Sequence, residues 1–270
     1  MIKDKFYAVD AHCHIYPEQI ASRAVAGTDV FYGTKALCAG TVSDMMQRAR
    51  AVGIDHALVQ SVATAPKQVK SINAFIADRV EKSQGFLTGL GTLHPDSEDQ
   101  REDVRHLVEL GLRGVKLHPD IQKFKIDDYR MLKIFELCEE EGLPILLHTG
   151  DNRFDYSNPN RLAPILEIYK NLTIIGAHFG GWTVWDEALE TLSPFSNFFV
   201  DCSSSFPFIS AQKVKSLIRG YGADRVLFGT DYPMWEPQTE IDALLSLDLT
   251  DGEYEMIFSE NAKKLFALAL

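Results

Sequence analysis

The sequence lacks the features that mark several common classes of protein. Its four cysteines, Cys13, Cys38, Cys138 and Cys202, are scattered and form no Cys-x-x-Cys pair. That spacing argues against a zinc ribbon and reads as reduced thiols in a cytosolic protein. No apolar run is long enough for a signal peptide or a membrane span. Basic residues are outnumbered, with 27 Lys and Arg against 38 Asp and Glu, giving a net charge of −11. This balance disfavours nucleic acid and anionic membranes as partners. It still admits an anionic small molecule, because a buried metal dominates the field in its own pocket. No low-complexity linker or shift in composition marks a domain boundary. The Gly-rich turn that dinucleotide-binding folds carry after their first strand is also missing.

At 270 residues and 46% hydrophobic, the chain can bury a large core. Apolar runs and amphipathic stretches alternate along it. A first strand ends in Val9-Asp10-Ala11-His12-Cys13-His14, and others follow at 56–62, 86–93, 113–117, 144–148, 172–178, 198–202 and 225–231. Helices are expected at about 44–52, 67–82, 97–110, 127–141, 161–170, 184–192, 210–219, 238–247 and 252–268. The first of these starts from Ser43 as its cap and stops at Gly53. Residues 15–43, with Pro17, Gly27, Gly33 and Gly40, form a long segment expected to be a lid or partly helical. Short, nearly all-apolar strands alternating with helices imply a parallel sheet buried on both faces. Eight such units suggest one domain over 1–270, a distorted (β/α)₈ TIM barrel.

The histidines follow the same frame. His12, His14, His94, His118, His148 and His178 fall at predicted strand ends, whereas His56 and His106 do not. Barrel enzymes build their sites at this C-terminal face. Period-two alternation puts His12 and His14 on one side, with Asp10 a layer deeper and Cys13 facing the helices. In a closed barrel Asp231, ending the eighth strand, would stand beside His12 and His14, with His148 and His178 across the mouth. Imidazoles and a carboxylate suit a divalent ion, Zn²⁺ above all, with a position left for an activated water. Asp231 could bind the metal and take the proton of that water, which makes it the candidate general base.

Taken together, these features resemble the amidohydrolase superfamily, and in particular its amidohydrolase-2 branch. The resemblance rests on Val9-Asp10-Ala11-His12-Cys13-His14, Gly114-Val115-Lys116-Leu117-His118-Pro119, Gly176-Ala177-His178-Phe179-Gly180-Gly181, Gly229-Thr230-Asp231-Tyr232-Pro233 and Asn261-Ala262-Lys263-Lys264-Leu265-Phe266. It implies that His12, His14, His148 and Asp231 bind one metal, and that His178 orients the water or polarises the substrate. In binuclear members a carboxylated lysine ends strand four and bridges two ions, and Lys116 occupies that place. The alternative is an unmodified Lys116 pairing with a substrate carboxylate, with His118 beside it. The branch holds metal-dependent hydrolases of amides and lactones, and also decarboxylases.

Each residue also has a plainer reading. A lone strand-end histidine is usually structural, and this applies to His94 and His118 taken singly. Trp182, Trp185 and Trp235 would by default pack under loops, with a pocket wall as the alternative. Arg23 and Arg153 would by default be solvated, yet a substrate carboxylate needs one such cation. The first functional expectation is a hydrolase of a small carboxylated amide, lactone or ester, favoured by the short chain. The second is a decarboxylase of an unsaturated or aromatic acid, and the third a ligand-binding barrel without turnover. A homodimer is left open.

Overall fold

A computed structural model describes residues 1–2 and 5–269. Its strands are β1 (Val9–His14), β2 (His56–Gln60), β3 (Leu87–Gly89), β4 (Gly91–Thr92), β5 (Val115–Leu117), β6 (Ile145–Leu147), β7 (Ile174–Gly176), β8 (Phe198–Asp201) and β9 (Val226–Leu227). All neighbours run parallel, in two sheets ordered β1-β2-β3 and β4-β5-β6-β7-β8-β9. The expected third strand is thus divided at Leu90. Leu90 N–H still bonds to Val59 O on one side, and Gly91 N–H bonds to Gly114 O on the other. The ring closes through Ala11 N–H to Phe228 O at 2.9 Å and His14 N–H to Tyr232 O at 2.7 Å. The eight-unit barrel read from the sequence is therefore present, with one kinked stave.

The kink has a packing cause. A Cβ on Gly89 would meet Leu112 and Ile76 at 2.6 and 2.7 Å, and one on Gly91 would meet Leu107 at 2.3 Å. Only a residue without a side chain lets the outer helices approach this closely. Inside the barrel lie Val9, Ala11, Leu58, Leu90, Leu146, Ile175, Ala177 and Leu227, joined by Ala262 and Phe266. A second, larger layer fills the space between strands and helices, including Cys13, Val59, Leu117, Leu147 and Val200.

Two expectations need correction, the alternation along β1 and the Ser43 cap. Strict alternation along β1 fails, because its pairing with β2 shifts register between Asp10 and Cys13. The bulge puts Val9 and Ala11 inside the barrel and sets Asp10 against Cys13, so Asp10 does not share the direction of the two histidines. The segment 15–43 contains a 15-residue helix, α1 (Glu18–Tyr32). The partly helical expectation holds, and only the bounds went unread, because Gly27, Thr28 and Val30 are weak helix formers. The next helix, Val42–Ala51, is capped by Thr41, whose Oγ1 accepts from Asp44 N–H at 3.3 Å. Ser43, the expected cap, donates instead to Glu18 Oε1 at 3.1 Å. No described helix is long and apolar enough to cross a membrane.

Candidate active site

The strand ends surround a cavity of about 660 Å³. Its floor brings together residues far apart in the chain. His12 Nε2 and His14 Nε2 are 3.1 Å apart, and Asp231 Oδ1 lies 3.3 and 3.7 Å from them. Lys116 Nζ is 3.2 Å from His12 Nε2. Asp231 and His178 both adopt left-handed backbone, with φ of 54° and 59°. Such a conformation is uncommon for residues with a side chain. It lets His178 line the cavity although the preceding Ala177 already faces the barrel interior.

Hydrogen bonds fix which nitrogens face the floor. His12 Nδ1 donates to Asp201 Oδ2 at 2.9 Å, leaving its Nε2 lone pair toward Asp231 and His14. His178 Nδ1 donates to the Ser203 carbonyl at 3.0 Å, so its Nε2 is free to accept. Asp201 Oδ1 also receives the His178 and Ser203 amides, at 3.1 and 3.0 Å. Asp231 Oδ2 accepts from Ser204 Oγ at 2.6 Å, and Ser204 Oγ accepts from Trp235 Nε1 at 2.8 Å. This is the outer set of contacts that orients metal ligands in known sites.

Burial and proximity disfavour the charged form of several imidazoles around the cavity, His14, His118 and His148 most of all. Desolvation, and then neighbouring imidazoles and Lys116, push His14, His118 and His148 well below the ordinary histidine range. Burial pushes the Lys116 ammonium down to about 8, against the pull of Asp201 and Asp231. A neutral imidazole is the form that binds a metal ion. The fit of a cation is supported by the bare donors themselves. The two Nε2 atoms and a carboxylate oxygen face one another, and the buried His148 Nε2 has no hydrogen-bond partner.

His148 sits apart from the tightest group. Its ring stacks on His118 at 3.9 Å and lies 5.1 Å from the His178 ring. Its Nε2 is 3.7 Å from Asp120 Oδ2, so the donors nearest to it are His118 and Asp120 rather than the other expected ligands. His118 has both nitrogens engaged. Nδ1 accepts from Ile121 N–H at 3.3 Å, and Nε2 donates to the Tyr32 hydroxyl at 2.6 Å. His94 is similar, its Nδ1 accepting from Asp96 N–H at 3.2 Å, which gives His94-Pro95-Asp96, a phrase the sequence repeats as His118-Pro119-Asp120, a local structural role. Burial pushes the Asp120 carboxyl up to about 7, and its Oδ1 is also unpartnered.

Arg153 departs from expectation as a substrate cation. Its Nε and Nη2 donate to the fully buried Asp151 at 2.9 and 2.6 Å, and Nη1 donates to Phe31 O at 2.8 Å. A buried carboxylate needs a counter-charge, and Arg153 supplies it from behind the cavity wall. Arg23, on the inner face of α1, lines the cavity and makes no hydrogen bond or ion pair among the described residues. Trp182 and Trp235 also line it, while Trp185 donates to His178 O at 3.1 Å. Asp10 accepts from Thr230 N–H and Oγ1 at 3.0 and 2.6 Å, anchoring the turn that carries Asp231. The sequence reading missed Asp201, Ser203, Ser204, Asp120 and Tyr32. Asp201 alone had a legible signal, a carboxylate ending a predicted strand.

Comparison with known proteins places the chain. The family model described as amidohydrolase matches residues 9–268. A 2-amino-3-carboxymuconate-6-semialdehyde decarboxylase of Dictyostelium discoideum is 30% identical over 79 residues, 28% of this chain and 22% of that protein. The matched stretch is therefore under a quarter of the relative's length. An uncharacterised TIM-barrel protein from Bordetella bronchiseptica superposes with a TM-score of 0.81 at 20% identity, covering 98% of this chain and 99% of the other. A dihydroxybenzoic acid decarboxylase from Polaromonas sp. JS666, solved with bound manganese and the inhibitor 2-nitroresorcinol, gives 0.74 at 16% identity, covering 98% of each chain. At these identities the structural likeness speaks for the barrel fold alone.

Proposed function

We propose that this chain, which belongs to the amidohydrolase family, is a metal-dependent decarboxylase of an unsaturated or aromatic carboxylic acid. The sequence alone put hydrolysis first, and the named relatives support the lyase reading that stood second. The observation that carries the proposal is the contrast between the floor of the cavity and its walls. Buried nitrogen and oxygen donors lie below, while Phe31, Tyr32, Trp182, Phe208 and Trp235 surround them. A carboxylate brought into such a site loses its hydration, whereas CO₂ leaves as a neutral molecule that apolar walls accept.

His12, His14, His148 and Asp231 would hold one divalent ion, with Mn²⁺ and Zn²⁺ both suited to nitrogen and oxygen donors. When bound, the ion supplies a Lewis acid for a substrate oxygen. Lys116, turned from His12 toward the substrate, would pair with the carboxylate. Since His178 Nε2 offers a lone pair, it accepts a hydrogen bond from a substrate hydroxyl. This differs from the role of orienting a water or polarising the substrate that the resemblance implied for His178. The bond from the carboxylate carbon to the conjugated system breaks, and its electron pair stays with that system. Asp231 delivers a proton to the carbon left behind, CO₂ departs, and Asp231 recovers a proton from solvent. The helix α1 acts as a lid, and Arg23 on it, without an ion pair among the described residues, is the cation for a further anionic group of the substrate.

The test is direct. Protein loaded with Mn²⁺ or Zn²⁺ is incubated with hydroxybenzoic and unsaturated acids, and gas and products are followed by mass spectrometry. Release of CO₂ with one proton gained by the product supports the proposal. Addition of water with no CO₂ returns the site to hydrolysis. A metal-to-protein ratio near one fits a free Lys116 amine, and a ratio near two its carboxylated form.

A further inference from the structure

The cavity is larger than its reactive floor requires. Its volume of about 660 Å³ falls within the roughly 300–1,000 Å³ of sites that bury drug-sized ligands. At about 30 Å³ for each water-sized group, it has room for about twenty of them, more than one ring and its carboxylate fill. The surplus has a distinct character. Besides the histidines the lining includes Ala24 and the exposed Ile20, Arg23 and Gly27 on α1, and Ile72 and Phe75 on the helix Val69–Glu81.

Gly27 supplies an independent observation. It lies in the interior of α1, where glycine costs about 0.5–1 kcal/mol relative to alanine. At Gly89 and Gly91, by contrast, close contacts force the glycine. A Cβ on Gly27 would meet nothing within 4 Å. Among the described residues no packing contact requires the glycine, which is exposed and lines the cavity, so a side chain there would have open space at the cavity's edge to occupy.

We infer that the substrate carries an apolar extension, of about the bulk of a second ring, that runs into the limb beside Gly27. This rests on the decarboxylase reading only for which end of the molecule meets the floor. The probes are benzoate and biphenyl-4-carboxylate, titrated calorimetrically into Mn²⁺-loaded protein. The parent protein is expected to bind the biphenyl acid at least about tenfold more tightly than benzoate. Gly27→Leu should erase that preference while leaving the benzoate affinity within about twofold, and Gly27→Ala should fall between. Both substitutions favour the helix, so the melting temperature should hold or rise. Equal affinity for the two acids, no binding of the biphenyl acid, or a loss in Gly27→Leu shared by both acids would overturn the inference. Calorimetry reads affinity without turnover, so absence of CO₂ from every acid tested sinks the decarboxylase reading and leaves this ratio to judge the limb.

Discussion

Asp231 presents one oxygen to His12 and His14 and has the other held by Ser204. Its amide counterpart keeps the shape and the Ser204 contact but cannot carry a proton. Asp231→Asn is therefore expected to retain a divalent ion at reduced affinity and to lower kcat by about 10²–10⁴-fold, read by steady-state kinetics beside metal analysis. Unchanged kcat would remove Asp231 from the chemistry. Asp201 works at one remove, through His12 Nδ1. Asp201→Asn should weaken metal binding by roughly 10–100-fold, measured by competition with a chelator, while saturating metal restores most of the rate. An affinity equal to that of the parent would mean that His12 is oriented by other contacts. At this scale the sequence was most legible where residue type and strand end coincided, as for His12, His14, His178 and Asp231. It was opaque where a role depends on direction. Arg153 and Arg23 look alike in the sequence, yet one is locked to a buried aspartate and the other makes no ion pair among the described residues.

Helix α1 was legible only as a partly helical segment, because Gly27 and β-branched neighbours mask the periodicity that would have given its bounds. Its C-terminal end is held twice, by Arg153 to Phe31 O and by the Tyr32 hydroxyl to His118. Arg153 also lies 5.2–5.5 Å from the rings of Phe31, Tyr32, Phe154 and Trp182. Arg153→Met keeps the bulk and removes both the carbonyl contact and the partner of Asp151. It should destabilise the protein by about 1–3 kcal/mol in urea titration and speed proteolytic cleavage within 18–40. If cleavage of that segment is unaffected, α1 is not a lid secured by this arginine. The strands were easier to read, since apolar runs are local. Their ends were overextended, because the residues that turn into the cavity leave regular pairing to do so. The bulge in β1 was hidden, since one extra residue leaves composition and order unchanged.

For the whole molecule, the eight-unit barrel followed from the count of alternating segments, which no single local error could erase. Stability carries a cost that the sequence did not reveal. Glu240, in the helix Pro237–Leu245, is fully buried with both carboxyl oxygens unpartnered. Burial first, and then the charges of Asp231 and Asp10, push its carboxyl from the ordinary 4.5 up to about 8. The folded state thus holds a proton that the unfolded chain releases above about 4.5, so this contribution is complete below that pH and falls away as pH rises toward 8. Relative to the parent, Glu240→Gln should gain about 2–4 kcal/mol between pH 5 and pH 8, seen in denaturation curves at the two pH values. Parallel curves for the two proteins would show that Glu240 does not titrate in this window.

The division of the barrel at Leu90 makes it a cask of three staves joined to six. His12 and His14 belong to the smaller set, while Lys116, His148 and Asp231 extend from the larger. A cation gripped from both sides would act as a rivet across the joint between the first and last staves. Stripping it with a chelator should raise deuterium uptake in 9–14 and 226–232 together, and leave the interior of the larger set as slow as before.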